Sequence, residues 1–410
     1  MKVLHLCTFR TGGAGIAAKR IHNAVKSVGV ESSLVYRDDI ISPLQRIFFH
    51  PFLRLFRKTI DICCESFQHH GCYGHSESLF PFISVHAINS SDVDVVHLHW
   101  INGDFLSIGQ LASIRKPVVW TLHDNWAYCG NEFYTEHIRF RDGYTAATRP
   151  KQEKGPDFAR FIWNYKKRKW KNFHPFFVSP SQWNANRLTE SLLFHDSPCA
   201  VIRNPLDLQI FSPGNKIIAK KNFGLDPSRL TLLFGADDIN NDRKGLDLFL
   251  NALAFLAKAV PAERIQLFCF GSGKTEISPN LPYQVIHAGF IKEDAQKAAL
   301  YRAADVFVCP SRMDNYPNVC IEAMACGVPV TAFRTAGLPE IVFDPELLAE
   351  PFSPESLAQT ILYTLKHHMA LSNQARLYAE ENCDPLLCGQ QYLRVYEQSL
   401  NIFNAKISAC

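Results

Sequence analysis

The feature that most constrains this chain is an alternation, sustained nearly from end to end, of short apolar β-rich runs with amphipathic stretches of helical period. Parallel neighbours need a crossover between them, and a parallel sheet is covered on both faces. Continuous apolar runs separated by helices are therefore its sequence signature. Residues 2–9 predict a buried strand, 16–28 a helix and 32–36 a second strand, with further β runs at 93–97, 117–122, 176–179 and 200–203. The pattern restarts near residue 225, with strands predicted at 230–235, 265–270 and 306–309 and helices at 246–259 and 295–304. Two such series in 410 residues fit two α/β domains better than one barrel. The boundary falls in 204–213, where Asn-Pro and Ser-Pro break both periods.

Composition narrows the class. With 43 Lys and Arg against 39 Asp and Glu the net charge is only +4, and 47% of residues are apolar. That excludes intrinsic disorder, a collagen-like chain and a dedicated nucleic-acid tail. Residues 1–6 lack the pattern of a signal peptide, and no run is long and apolar enough to span a bilayer as a helix. Thirteen cysteines without a C-x-x-C pair argue against a zinc ribbon or a thioredoxin-type site and fit reduced thiols in a cytosolic enzyme.

Two stretches depart from the alternation. Residues 43–58 place Arg46, His50, Arg54 and Arg57 among Phe48, Phe49, Phe52 and Phe56. This reads either as a membrane-interface segment or as an insertion packed on its own domain. Residues 151–171 carry eight Lys or Arg against two acids, with aromatics interleaved, and read as a solvated helix face or a surface for an acidic partner. Neither carries a nucleic-acid recognition motif, so no nucleic-acid partner is expected.

Several polar groups fall at predicted strand ends, the edge where open parallel sheets bind ligands. Gly13-Ala14-Gly15-Ile16-Ala17-Ala18 satisfies G-x-G-x-x-A, with Asp38 and Asp39 after the second strand. It reads as a dinucleotide site or as a tight strand–helix turn. In Thr121-Leu122-His123-Asp124, His123 can donate to a sugar hydroxyl with Asp124 orienting it, or be satisfied by backbone. His97 and His99 share one side of an extended segment and suggest a cleft wall ahead of a metal site, since no third ligand is evident. Arg243 and Lys244 open a helix, where two cations beside free amides make a receptor for a diphosphate. Residues 310–330 read as strand, polar loop, helix with Pro317 in its first turn, and a Gly-Val-Pro exit. Loop amides with Asp314 and Glu322 could there converge on a hydroxyl-rich ligand.

Asp314-x7-Glu322, followed by Ala-Met-Ala-Cys-Gly-Val-Pro-Val, resembles the E-x7-E region of retaining glycosyltransferases of family four, which have the GT-B fold. The Gly12–Gly15 loop, residues 96–102, 121–124 and 204–207 with Phe211, Arg243-Lys244-Gly245 and residues 336–340 extend the resemblance over nearly the whole chain. His-Leu-His-Trp and Thr-Leu-His-Asp-x-Trp are most similar to the exopolysaccharide branch, including colanic-acid glycosyltransferases. The resemblance implies two Rossmann-like parallel-sheet domains facing across a cleft. Residues 1–205 would form the acceptor side and 206–385 the nucleotide-sugar donor side, with 386–410 crossing back onto the first domain.

It further implies that Glu322 binds the donor ribose, that Lys244 with Arg243 neutralises the diphosphate, and that Asp314 and the amides of Asn315 and Tyr316 hold the donor sugar. His123 would lie beside the reacting sugar, and Gly13 would approach the phosphates from the opposite domain. Two departures stand out: the first acid is Asp314 instead of Glu, and Ala236 stands where an Arg often follows the strand-end glycine. The implied reaction is retaining transfer of a hexose or deoxyhexose from a nucleotide-diphosphate donor to a hydroxyl of a saccharide acceptor, polyprenyl-diphosphate-linked where the acceptor is lipid-borne. No cofactor beyond the donor substrate is expected. No metal is expected either, since no D-x-D motif reads as a metal site and Lys244 can take the charge role. The enzyme would work in the cytoplasm at the inner face of the membrane, with 43–58 as the contact with anionic lipid. The rivals are a nucleotide-sugar epimerase of the same fold, a non-enzymatic glycan- or lipid-binding protein, and a nicotinamide-dependent oxidoreductase.

Overall fold

The structure, a computed structural model, describes residues 1–40, 71–80, 83–103, 105–273 and 282–408. The basic-aromatic stretch 43–58 lies outside them. The chain divides into two compact units, Met1–Ile202 with Cys388–Cys410, and Arg203–Leu387.

The first unit is built on a parallel sheet of β1 (Lys2–Cys7), β2 (Glu31–Tyr36), β4 (Val95–Leu98), β5 (Val118–Thr121), β7 (Phe176–Ser179) and β8 (Cys199–Val201). Their order in the sheet is β2-β1-β4-β5-β7-β8. A separate antiparallel pair joins β3 (Cys72–His75) to β6 (Glu132–Thr135). Strands β4, β5 and β7 are buried along their whole length, as continuous Val, Leu, Trp and Phe runs demand of central parallel strands. Helix α1 (Gly12–Ser27) presents Ala17, Ala18, Ile21, Ala24 and Val25 to this sheet, one face of a 3.6-residue period.

Helix α2 (Phe158–Lys169) bears out a solvated cationic face over 151–171, with Lys166 as the exception. It buries Ala159, Ile162, Trp163 and Lys166, while Arg160, Lys167, Arg168 and Lys169 stay exposed. Lys166 is fully buried; its ammonium lies 3.6 Å from the centre of the Trp126 ring and donates to the carbonyls of Trp126 (2.5 Å), Cys129 (3.1 Å) and Gly130 (2.6 Å). It anchors the segment that follows Thr121-Leu122-His123-Asp124.

The second unit carries the second parallel sheet, of β9 (Leu230–Asp238), β10 (Ile265–Ser272), β11 (Gln284–His287), β12 (Val306–Cys309), β13 (Val330–Phe333) and β14 (Leu348–Ala349), in the order β11-β10-β9-β12-β13-β14. Helices α3 (Leu246–Leu256), α4 (Asn318–Ala325) and α5 (Pro354–Cys383) cover it. Pro317 caps α4 instead of lying in its first turn. The last helix, α6 (Pro385–Ser408), buries Tyr392 and Tyr396 in the first unit, where Gly389 lets it close on α1. A Cβ at Gly389 would stand 2.3 Å from the Ala24 carbonyl oxygen.

In each sheet the strand order reverses once, between β1 and β4 in the first and between β9 and β12 in the second. Ligands of open parallel sheets bind beyond the carboxyl ends of the strands at such reversals.

Candidate functional site

At the second reversal, the segments after β9 and β12 are tied into one polar cluster. After β9, the Asn241 side chain accepts from the Arg243 amide (3.1 Å) and caps a single 3-10 turn, Asp242–Lys244. Gly245 then opens α3 at φ +69°, a conformation glycine adopts without strain. A Cβ there would stand 2.0 Å from the Pro310 carbonyl oxygen, so the close approach of the two segments also requires glycine.

Arg312 fastens them together. Its amide donates to the Arg243 carbonyl (2.8 Å), and its guanidinium forks onto the two Asp247 oxygens (2.8 and 2.6 Å) and reaches the Asp242 carbonyl (2.6 Å). Neither Arg312 nor Asp247 was singled out in the sequence. The available signal was an Arg two residues before Asp314 and an acid in the first turn of α3.

Three of the expected residues meet at this point. Asp314 accepts from Arg243 Nη1 through one oxygen (2.5 Å) and from Lys244 Nζ through the other (2.8 Å). Arg243 also donates to the Met313 carbonyl (2.7 Å). Burial alone would raise the Asp314 carboxyl, but the two neighbouring cations overcome it and hold it down at about 2. Two cations and one carboxylate leave a net charge of about +1 on a nearly buried cluster. Asp314 thus holds the two cations side by side, with both of its oxygens engaged.

Glu322 lies one turn into α4, buried, accepting from the Tyr301 hydroxyl (2.9 Å). Asn315 and Tyr316 are buried as well. The Tyr316 ring belongs to the core, with its hydroxyl 3.2 Å from that of Tyr378 and the Arg203 guanidinium 5.0 Å over its face. Its backbone, not its side chain, is the part the resemblance assigns to a ligand. The loop is pinned from the far side by the Gly337 amide on the Asp314 carbonyl (2.9 Å).

At the first reversal, the loop after β1 leads into α1. A Cβ at Gly13 would meet nothing within 4 Å, so protein packing does not demand glycine at that position. Asp39, the acid a dinucleotide site would need, pairs with Arg10 and accepts from the Tyr36 amide (2.9 Å).

His123 follows β5, half-buried, and its Nε2 meets Nδ1 of the buried His99 at 3.1 Å. The Asp124 carboxylate accepts from the Trp100 indole (2.9 Å) and the Trp126 amide (2.9 Å). Desolvation brings the His123 imidazole down to about 4, so the ring is neutral near pH 7.

His97 and His99 do lie on one side of the segment, their rings tilted against each other with centroids 4.2 Å apart. They are interior groups, however, and His97 does not form a cleft wall. Its nitrogens meet the Tyr396 hydroxyl (2.8 Å) and the Thr121 hydroxyl (2.8 Å). The third imidazole missing from the sequence reading is His5, opposite His97 in the β1–β4 register. The three rings bring nitrogens within 4.8 Å of one another. Both nitrogens of His97 and of His99, however, already face hydrogen-bonding partners. Asp92-Val93-Asp94 has D-x-D spacing, but it precedes β4, at the edge away from the strand ends. There Lys2 bonds both carboxylates, through Nζ to Asp92 (2.6 Å) and through its amide to Asp94 (2.7 Å).

Among the described residues, no helix is long and apolar enough to cross a membrane.

Comparison with known proteins gives consistent matches across both units. Residues 11–210 match the family described as Glycosyltransferase Family 4, and residues 229–367 the one described as Glycosyl transferases group 1. A D-inositol 3-phosphate glycosyltransferase of Segniliparus rotundus is 31% identical over 188 residues, 43% of this chain and 41% of the relative. The matched part thus spans less than half of that relative's length. A putative colanic acid biosynthesis glycosyl transferase, WcaC, of Escherichia coli K12 is 26% identical over 266 residues, 60% of each chain. The solved structure of Anabaena Alr3699/HepE in complex with UDP and glucose superposes with a TM-score of 0.60 at 15% identity, covering 97% of this chain and all of that one, a likeness of fold. The two parallel-sheet units are those of the GT-B fold, and the chain carries a Glycosyltransferase Family 4 domain followed by a Glycosyl transferases group 1 domain.

Proposed function

We propose that this chain transfers a glycosyl group from a nucleoside-diphosphate sugar to a hydroxyl of a saccharide acceptor, with retention of anomeric configuration and without a metal ion, in assembly of a surface polysaccharide. The observation that carries the reading is the Arg243–Lys244 pair, held by Asp314 at the strand-order reversal of the second sheet. A diphosphate leaving group gathers negative charge as the anomeric C–O bond breaks. Cations already fixed in place stabilise that charge more in the transition state than in the ground state. Such a pair can take the role a divalent ion plays elsewhere.

In this reading Glu322 receives the ribose hydroxyls, and the amides of Asn315 and Tyr316 hold the donor sugar. Asp314 acts chiefly by placing the two cations. On the first unit, neutral His123 is the group that can donate a hydrogen bond to a sugar oxygen, and the open loop at Gly13 the one that can receive a phosphate. The acceptor oxygen bonds the anomeric carbon from the face the diphosphate leaves, and the acceptor proton passes to a departing phosphate oxygen. The solved UDP and glucose complex of a protein of the same fold supports a nucleotide-sugar donor. The WcaC relative, named for colanic acid biosynthesis, supports a polysaccharide product; the acceptor in this reading is polyprenyl-diphosphate-linked and is met at the inner face of the membrane.

The test screens nucleotide sugars by thermal shift and then follows donor consumption with candidate acceptors. Lys244→Ala should lose about a hundredfold in turnover while staying folded, the cost of one well-aimed charge donor. Glu322→Gln should raise the donor Kd with a smaller effect on turnover. Near-normal transfer by both variants refutes the site, and donor consumption with no acceptor dependence points to the epimerase instead.

A further inference from the structure

His123 does not stand alone. Its Nε2 faces His99 Nδ1 at 3.1 Å, and His99 Nε2 faces His5 Nδ1 at 3.0 Å. Three imidazoles therefore form a hydrogen-bonded file from the end of β5, past the end of β4, into the middle of β1. The file is fixed at each step. The His99 amide donates to the Leu6 carbonyl (3.0 Å), its carbonyl accepts from the Trp120 indole (3.2 Å), and the tilted His97 ring packs against its own. Both inner rings are buried, and His5 Nε2 meets no hydrogen-bond partner among the described residues. Burial lowers the pKa of all three rings, His5 to about 3 and His123 to about 4.

A neutral imidazole carries one N–H and one lone pair. A file of neutral rings joined nitrogen to nitrogen must then run in a single direction. If it ran inward, His5 would end it with an N–H buried and unanswered. If it runs outward, His5 ends it with a lone pair. A buried N–H without an acceptor is the rarer of these two states in proteins. Outward polarity makes His5 the Nδ1–H donor to His99 and His99 the Nδ1–H donor to His123. The acceptor nitrogen of His123 is then occupied, and its own Nδ1–H is what it can offer a ligand.

We propose that His99 and His5 are positioning residues that lock His123 in its Nδ1–H tautomer, making it a fixed hydrogen-bond donor to an oxygen of the bound sugar nucleotide. This deepens the glycosyl-transfer reading and rests on it for the identity of the ligand. The locking itself is a property of the substrate-free protein.

That separation sets the experiment. The full chain, labelled with nitrogen-15 at histidine, is studied without ligand by imidazole nitrogen–proton correlation at neutral pH. His123 should show a protonated Nδ1 and a bare Nε2. His99→Leu should release it into a mixture of tautomers, and His5→Leu, which leaves His99 in place, should do the same. His99→Asn, whose amide nitrogen can stand near the lost Nδ1, should restore the wild-type pattern. With donor and acceptor, His99→Leu should lower kcat a few-fold at little-changed donor KM, with recovery in His99→Asn and no effect of His99→Leu in a His123→Ala background. A wild-type His123 protonated at Nε2, or a tautomer indifferent to both leucine variants, overturns the proposal. So does a fall in kcat that His99→Asn fails to recover, since that marks a purely structural loss. If the tautomer pattern is as expected but no nucleotide sugar is consumed, the glycosyl-transfer reading fails and the directed file of rings stands.

Discussion

Replacing Asp314 with Asn tests whether the cation pair is held by charge or merely by packing. In the folded chain the Asp314 carboxyl titrates at about 2, against a reference of 3.8. At about 1.4 kcal/mol for each pH unit, this depression corresponds to ~2.5 kcal/mol of stability at neutral pH. The side chain is only 7% exposed, so solvent screening takes little from that figure. The sign follows from linkage. The folded pKa lies below the unfolded one, so the contribution is complete above about pH 5 and fades as pH falls through 4 to 2. Asp314→Asn keeps the size of the side chain but turns an amide toward two cations. It should cost about 2–3 kcal/mol at pH 7 and under about 1 kcal/mol near pH 2.5.

All six tryptophans lie at or before Trp183, in the first unit, so fluorescence is blind to this change. Hydrogen exchange by mass spectrometry, reading the amides of α3 and α4 at pH values from 7 down to 3 after correction for intrinsic rates, reports it directly. Protection should fall about fiftyfold in the variant at neutral pH but only about tenfold at pH 3, because the contribution vanishes only below the folded pKa. A deficit that persists unchanged at pH 3, or no deficit at pH 7, would refute the ion-pair account.

Two further outcomes test the first unit. Gly13→Ala places a methyl group where no protein atom lies within 4 Å, so the melting temperature should hold while donor KM rises; a collapse in stability would show that packing had claimed the position. Lys166→Met strips three buried carbonyls of their donor, and after relief of a desolvated charge the loss should be about 3 kcal/mol. Tryptophan-monitored urea unfolding reads this change, and a stabilised variant would overturn the anchoring role.

Much of the sheet framework is legible because its central strands are uninterrupted apolar runs. Residues 176–179 and 306–309 carry enough β-branched and aromatic character to define strands by themselves. The β3–β6 pair escapes because Cys-Tyr-Gly-His shows no alternation and its partner lies some sixty residues away. Strand β14 has two residues, too few for any period. The Arg243-Lys244 dipeptide and Asp314 each stand out locally, but their contact joins segments seventy residues apart, and no spacing rule reports that. His5 is hidden for the same reason, since only the register of β1 against β4 puts it beside His97. Lys166 was discoverable. It shares the helical face of Ile162, Trp163 and Trp170, yet the surrounding run of basic residues argued for solvent.

The way α6 completes the first unit bears on how the chain is made. Tyr392 and Tyr396 supply hydroxyls to Thr121 and His97, groups laid down more than 270 residues earlier. A ribosome must therefore finish the entire second unit before the earlier one can close its interior. Throughout that interval the nascent first unit lacks the surface that covers β1 and β4, a long wait in which chaperones are its natural shelter. Expression of residues 1–202 alone would make that transient condition permanent.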